Sequence, residues 1–308
     1  MKATVFSAIH IGPAGWSYPD WNGIVYPTRS RKIDHLEFLS SYFNLIEINS
    51  TFYRIPEFAT CVRWTERVAA NSDFLFTVKL FQGFTHSSTP LGEADMKVFR
   101  KAISPIHEAG QLGAVLVQFP WSFRWSDRAR DRIARLTAWL QPMKSAVEVR
   151  HGSWRSPQAA AFFSETGTTM CSIDQPAVGD SIDSDSFVRG EAGLYIRLHG
   201  RNYAEWFNPR ATRDSRYDYL YSEEETASWV KRISDQSKTA SRTFVVLNNH
   251  FRGQAVANAL EIKAQLTATR PAAPRGIVER FPRIAKVVDP DDRWLQSDED
   301  DDQMTLFE

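Results

Sequence analysis

Several short apolar runs in this chain carry residues able to bind, ionise or hydrogen-bond, at alternate positions or at their late ends. In "NLIEINSTFY", Ile46 and Ile48 alternate with Glu47 and Asn49, and in "FLFTVKL" Phe76, Val78 and Leu80 flank Lys79. In "SAVEVRHGSW", Val147 and Val149 alternate with Glu148 and Arg150, while in "GLYIRLHG" Ile196 and Leu198 alternate with Arg197 and His199. Gln118, Asp174 and Asn248 stand at the ends of "GAVLVQFP", "TTMCSID" and "TFVVLNNH". Strand side chains alternate faces with period two, so strands packing their apolar set outward turn all these polar residues inward.

Two chemistries suit such a set. In the first, Glu148, Asp174 and His199 form a divalent-metal site, since carboxylate and imidazole suit Mg, Mn or Zn. Arg150 and Arg197 in the same layer oppose that, because a guanidinium beside a metal needs an anion between them. In the second, Arg197, Lys79 and Arg201 clamp a phosphate or carboxylate, and Glu47, Glu148, Asp174 and His199 supply acid–base catalysis. A purely architectural pairing of Glu47 with Lys79 and Glu148 with Arg150 is the bland alternative. His86, His151 and Asn249 are further candidates for substrate contact. So are Trp16, Tyr18, Tyr53 and Trp154, whose rings follow strand runs and suit stacking on bases or sugar faces. "NNHFRGQA" leads through Gly253 into a helix N-terminus, a usual phosphate position in barrels.

Strand-like runs alternate with helical stretches such as "ATCVRWTERVAA", "SDRARDRIARLTAWL" and "RGQAVANALEIKAQL". Eight such units predict parallel strands closed into a single (β/α)8 TIM-type barrel, whose C-terminal rim is where barrels place chemistry. The stretch after Asp174 is the least helical. An open doubly wound sheet is the alternative, but "GPAGWS" after the first strand is not its GxGxxG turn. The expected organisation is a barrel over residues 1–268, a linker and short appendage over 269–295, and a disordered acidic tail over 296–308.

The 308 residues are 43% hydrophobic, enough for a sizeable core. Net charge is zero, but from Asp298 onward there are six acids and no Lys or Arg. The rest holds 37 − 6 = 31 acids against 37 bases, a mildly basic body that tolerates anionic ligands. Cys61 and Cys171 sit in apolar contexts without CxxC spacing, which suits a reducing compartment. No apolar stretch approaches the ~20 residues of a membrane helix. "MKATVFSAIHIG" enters a strand pattern too soon for a signal peptide. The expectation is a cytoplasmic protein with no membrane partner.

The stretches "GPAGWSYPDWNGIVYP", "EINSTFYRIP", "FTVKL…THSSTPL", "VLVQFP", "AVEVRHGSW", "YIRLHGRNY" and "LNNHFRGQAVANA" together resemble the domain-of-unknown-function-72, or YecE-like, family over roughly residues 9 to 266. The resemblance implies a TIM-type barrel without an activity established for the class. It also implies an architecture similar to endonuclease IV and xylose isomerase-like barrels. Those use several strand-end metals, whereas this chain offers far fewer His and carboxylate candidates. Leu247 stands where the family commonly has an aromatic before Asn-Asn.

The terminal "QMTLF" is similar to the peptide by which bacterial replication and DNA-repair proteins hold the sliding clamp. Gln303 would hydrogen-bond at the pocket edge while Leu306 and Phe307 fill an apolar cleft. Three functions follow. One is a hydrolase-like or nuclease-like enzyme on a phosphate-bearing substrate, DNA or RNA included. Another is a sugar or sugar-phosphate isomerase or lyase. The third is a non-catalytic nucleic-acid or clamp adaptor.

Overall fold

The computed structural model describes residues 9–28, 33–206, 208 and 213–294. The first half alternates strictly: β1 (Ile9–Pro13), α1 (His35–Ser40), β2 (Leu45–Ile48), α2 (Phe58–Arg67), β3 (Leu75–Lys79), α3 (Glu93–Glu108), β4 (Leu112–Gln118) and α4 (Asp127–Leu140). The second half holds β5 (Ser145–Glu148), α5 (Pro157–Glu165), β6 (Thr169–Met170), β7 (Ser172–Asp174) and β8 (Leu194–Leu198). The short α6 (Tyr203–Trp206) and α7 (Arg213–Arg216) precede α8 (Glu223–Ser237), β9 (Thr243–Leu247) and α9 (Gln254–Thr267). The expected sixth strand is thus two pieces, and among the described residues no helix joins β7 to β8.

Local chemistry explains the helix starts. Asp34, Ser126 and Ser156 each accept a hydrogen bond from a backbone N–H of the first turn, and Ser222 with Glu225 forms a capping box. Behind the caps, spacings of three and four put one apolar stripe on each helix. On α3 that stripe is Met96, Phe99, Ile103 and Ile106, all buried. Each such side chain contributes about 1.5–3 kcal/mol on leaving water.

The strands form two parallel sheets, in the orders β2-β3-β4-β5-β6 and β1-β9-β8-β7. At one seam, the backbone N–H of Gly15 donates to the Glu47 carbonyl at 2.8 Å. The Asn44 side chain fills the ladder there, accepting from Ile11 N at 2.9 Å and donating to Ile9 O at 3.2 Å. At the other seam, Cys171 lies between β6 and β7, and its N–H donates to the Val147 carbonyl at 2.9 Å. The sheets also share a core. A Cβ at Gly113 on β4 would come within 2.6 Å of the Phe244 ring on β9, so the glycine makes room for that ring.

A C-terminal segment packs back on this body. β10 (Ala272–Pro274) pairs in parallel with β11 (Asp289–Asp291), and α10 (Arg275–Arg280) lies between them in sequence. Ile277, Ile284 and Val288 are buried, so this segment is part of the packed core. No helix of the described residues is long and apolar enough to cross a membrane.

Candidate functional site

Three charged residues from three strands meet with no solvent exposure: Glu47 on β2, Glu148 on β5 and Arg197 on β8. Arg197 donates from Nη2 to Glu47 Oε1 at 2.6 Å and from Nε to Oε2 at 3.1 Å. The Tyr195 hydroxyl donates to the same Oε2 at 2.9 Å. Arg197 Nη1 binds Glu148 Oε2 and reaches Gln118 Oε1 at 3.4 Å. Arg150 holds the other Glu148 oxygen, with Nε at 2.7 Å from Oε1. Burial alone would lower Arg197, but Glu148 and Glu47 outweigh it and hold its pKa well above the usual value. Burial would raise Glu148, yet Arg197 and Arg150 hold it well below the carboxylate range.

Of the two architectural pairs expected from sequence, Glu148 with Arg150 is formed and Glu47 with Lys79 is exchanged. Glu47 is bound by Arg197 and Tyr195, while Lys79 is left apart. Arg197 is saturated by two carboxylates and has no capacity to clamp a ligand anion, which corrects its expected role. Tyr195 was missed, although it stands two residues before Arg197 on the same strand face.

Lys79 ends β3, half-buried, with its Nζ 4.6 Å from the centroid of the Phe52 ring. No carboxylate lies within 4 Å of it among the described residues. Burial, then the Arg197 charge, push its pKa down to about 8, against the pull of Glu47 and Glu148. His199 is fully buried, with Nδ1 at 2.9 Å from Asn248 Nδ2 and Nε2 at 3.5 Å from Glu148 Oε2. Burial pushes its imidazole down to about 3, so the ring is neutral at pH 7. His86 is exposed nearby, its Nδ1 at 2.8 Å from Thr85 Oγ1. Desolvation and the charges of Lys79 and Arg150 push it down to about 4.

Above this layer lies a cavity of about 290 Å³ whose walls include His86, Gln118, Trp121, Arg150, Gln175 and Arg216. Two buried polar atoms in its lining, Gln175 Oε1 and Arg216 Nε, have no hydrogen-bond partner among the described residues. Sequence reasoning missed both residues. Gln175 directly follows Asp174 and was within reach of a rim argument, whereas Arg216 comes from the irregular stretch after β8, where no period marks it. A second cleft, of about 270 Å³, is lined by Trp16, Tyr18, Asn49 and Tyr53. Asn49 Oδ1 there is also buried and unpartnered among the described residues.

Other expected site residues have structural employment. Asp174 is held by Arg201, whose Nε lies 3.0 Å from both its carboxylate oxygens, and Arg201 also binds Glu225 at 2.9 Å. With Glu148 occupied by two arginines, the alternative ligand set Glu148, Asp174 and His199 is not assembled. No group of three or more His, Cys, Asp or Glu among the described residues is arranged to hold a metal ion. Asn249 is buried and donates to Tyr219 O at 2.8 Å and Asn258 Oδ1 at 2.9 Å, tying a loop to α9. His151 is buried and caps the turn after β5 by accepting from Ser153 N. Trp154 is 1% exposed and donates to Phe123 O at 2.8 Å, so its ring is core and no stacking platform. Tyr18 stacks on His250 at 4.4 Å, and its hydroxyl donates to Ala14 O, which fixes the first rim loop. The α9 N-terminus is also covered, since a Cβ at Gly253 would meet Ile277, Val25 and Ile24. Gly253, on which the expected phosphate position rests, is itself buried. Gln303, Leu306 and Phe307 lie outside the described residues.

These features can be set beside known proteins. A family model described as "Protein of unknown function DUF72" matches residues 10–280. The UPF0759 protein YunF of Bacillus subtilis (strain 168) is 28% identical over 267 residues, covering 81% of this chain and 92% of YunF. The UPF0759 protein YecE of Escherichia coli (strain K12) is 31% identical over 117 residues, or 37% of this chain and 39% of YecE. Among solved structures, a DUF72 family protein from Thermotoga maritima MSB8 superposes with a TM-score of 0.71 at 32% identity, covering 84% of this chain and 99% of that one. Another, from Enterococcus faecalis V583, gives 0.72 at 24% identity, covering 84% and 95%. By sequence and by fold, the chain belongs to the DUF72 family.

Proposed function

We propose that the protein is a closed (β/α)8 barrel enzyme that binds a phosphate-bearing small molecule at the C-terminal ends of its strands, in the sugar-phosphate isomerase or lyase class. Closure is supported by the Gly15–Glu47 and Cys171–Val147 backbone bonds at the two seams. One observation carries the ligand class, namely the charge left over around the cavity. Glu47 and Glu148 are neutralised by Arg197 and Arg150, while Lys79 and Arg216 have no carboxylate within 4 Å among the described residues. An anion restores the balance. A volume of about 290 Å³ suits a metabolite.

A hydrolase or nuclease needs a base to activate water. Glu47 and Glu148 are engaged by arginines, and His199 is sealed from solvent with its ring nitrogens against Asn248 and Glu148. Lys79, at about 8, is the group suited to proton exchange near neutrality. That favours carbonyl chemistry over water activation. Calorimetry with inorganic phosphate tests the ligand class. The expected result is a Kd near 1 mM, about −4 kcal/mol, weakened tenfold by Arg216→Gln. Absence of binding at 20-fold higher phosphate, on the order of 20 mM, discards the reading.

One observation favours a nucleic-acid substrate as a second reading. Arg128, Arg132 and Arg135 line one groove beside Phe84 and Trp139. Arg132 donates to Phe84 O, two residues before His86. Binding of single-stranded DNA or RNA that falls steeply with salt, and falls further on replacing these arginines by Gln, supports it. Recruitment to the sliding clamp stays a proposal from sequence. A peptide of residues 296–308 should bind the clamp at roughly micromolar strength, and the Leu306→Ala/Phe307→Ala form should not.

A further inference from the structure

We infer that Lys79 is a nucleophilic amine that condenses with the carbonyl carbon of a phosphorylated aldehyde or ketone. The inference deepens the phosphate reading above and rests on it for the substrate class.

Lys79 is the last residue of β3, at the same rim as the cavity. Its neighbour β2 pairs Ile48 with Val78, so Asn49 of the second cleft stands beside it. Gln118 and Arg150 of the main cavity stand on the β4 and β5 side. Lys79 itself lines neither cavity, but its strand end lies between those that carry the two, and the residue is half-buried rather than sealed.

A lysine kept for architecture is ordinarily paired with a carboxylate. Glu47 and Glu148 are both at hand, yet Arg197 and Arg150 occupy them, and the Lys79 amine rests over the Phe52 ring at 4.6 Å. An amine surrounded by other cations and an apolar ring sheds its proton more readily, which is how catalytic amines are activated. The pKa of about 8 agrees with that arrangement. At pH 7 it leaves roughly a tenth of the chains with a neutral amine.

The step balances without an oxidant. The nitrogen lone pair forms the C–N bond while the carbonyl π pair moves to oxygen, which takes up a proton as the nitrogen loses one. The resulting carbinolamine oxygen is protonated and departs as water, leaving a protonated imine. Arg216, which lines the cavity without a carboxylate within 4 Å among the described residues, holds the substrate phosphate during these transfers, and the protons exchange with water entering the rim.

The test treats the full chain with dihydroxyacetone phosphate and cyanoborohydride, followed by peptide mass mapping. The expected result is one reduced adduct at Lys79, formed faster as pH rises through 8 and slowed at least tenfold by inorganic phosphate. Adducts confined to exposed lysines such as Lys97 and Lys238, with Lys79 unmodified, overturn the inference. Lys79→Met should lose the adduct, and Lys79→Arg serves as a second variant that retains the charge. Lys79→Arg should keep phosphate binding by calorimetry, whereas Lys79→Met, which removes one of the two unpaired charges, should weaken it. The two readings fail separately. Phosphate binding with no Lys79 adduct refutes the amine role alone. A Lys79 adduct formed equally by unphosphorylated dihydroxyacetone, with no phosphate binding, refutes the phosphate reading and leaves the amine nucleophilic.

Discussion

Arg197 on β8 holds both carboxylate oxygens of Glu47 on β2, at 2.6 and 3.1 Å, although the two residues stand 150 positions apart. Their strands belong to different sheets, so the pair ties one sheet to the other through the interior. Removing one partner of a buried pair leaves an uncompensated charge, at a cost of about 3–5 kcal/mol. Glu47→Gln should lose that much by urea denaturation. The double change Glu47→Gln with Arg197→Met should recover part of it. A single-variant loss below about 1 kcal/mol is incompatible with the pair as described.

His199 faces Glu148 from β5, Arg150 just beyond it and Asn248 after β9, with Arg197 on its own strand. Its folded pKa of about 3 lies below the unfolded 6.5. Between those values the unfolded chain binds a proton that the folded chain refuses, so stability falls as pH is lowered through this window. The slope from one such group reaches about 1.4 kcal/mol per pH unit. Denaturation of His199→Asn at pH 6 and pH 5 should show a shallower loss than the parent. Equal slopes would count against a buried neutral imidazole.

Cation preference follows from the occupied carboxylates. Inorganic phosphate should raise the melting temperature, whereas Mn or Zn at equal concentration should not, because Glu148 and Asp174 already bind arginines. A metal-induced rise that phosphate does not compete with reverses this order.

Two tryptophans that follow neighbouring strands, Trp121 after β4 and Trp154 after β5, should behave differently. Trp154→Ala empties a core position and should cost about 3–5 kcal/mol. Trp121 is half-buried and lines the cavity, so Trp121→Ala should cost about 1 kcal/mol while weakening ligand binding. Thermal unfolding and phosphate or sugar-phosphate titration of the two variants separate stability from binding.

Much of this arrangement was legible in the residues alone. The alternation of periods placed the strands and helices, since the side-chain period of two or 3.6 is a property of the local backbone. The same parity put Glu47, Lys79, Glu148 and Arg197 on one side of their strands. The missing helix before β8 was visible as weak pattern after Asp174, whereas the split at Cys171 left no mark in the run "TTMCSID".

Partner choice was legible only within one strand end, where Glu148 meets Arg150 as expected. Sequence proximity suggested Glu47 with Lys79, from neighbouring strands, but depth and sheet order brought Arg197 to Glu47 and left Lys79 over Phe52. Arg201, two residues beyond His199, turned to Asp174 and Glu225 for the same reason. Strand parity fixes which face a side chain takes because it follows from backbone geometry one residue at a time. Which charge it meets there depends on how far each strand has slid and tilted against the others, and that is settled only when the sheets pack.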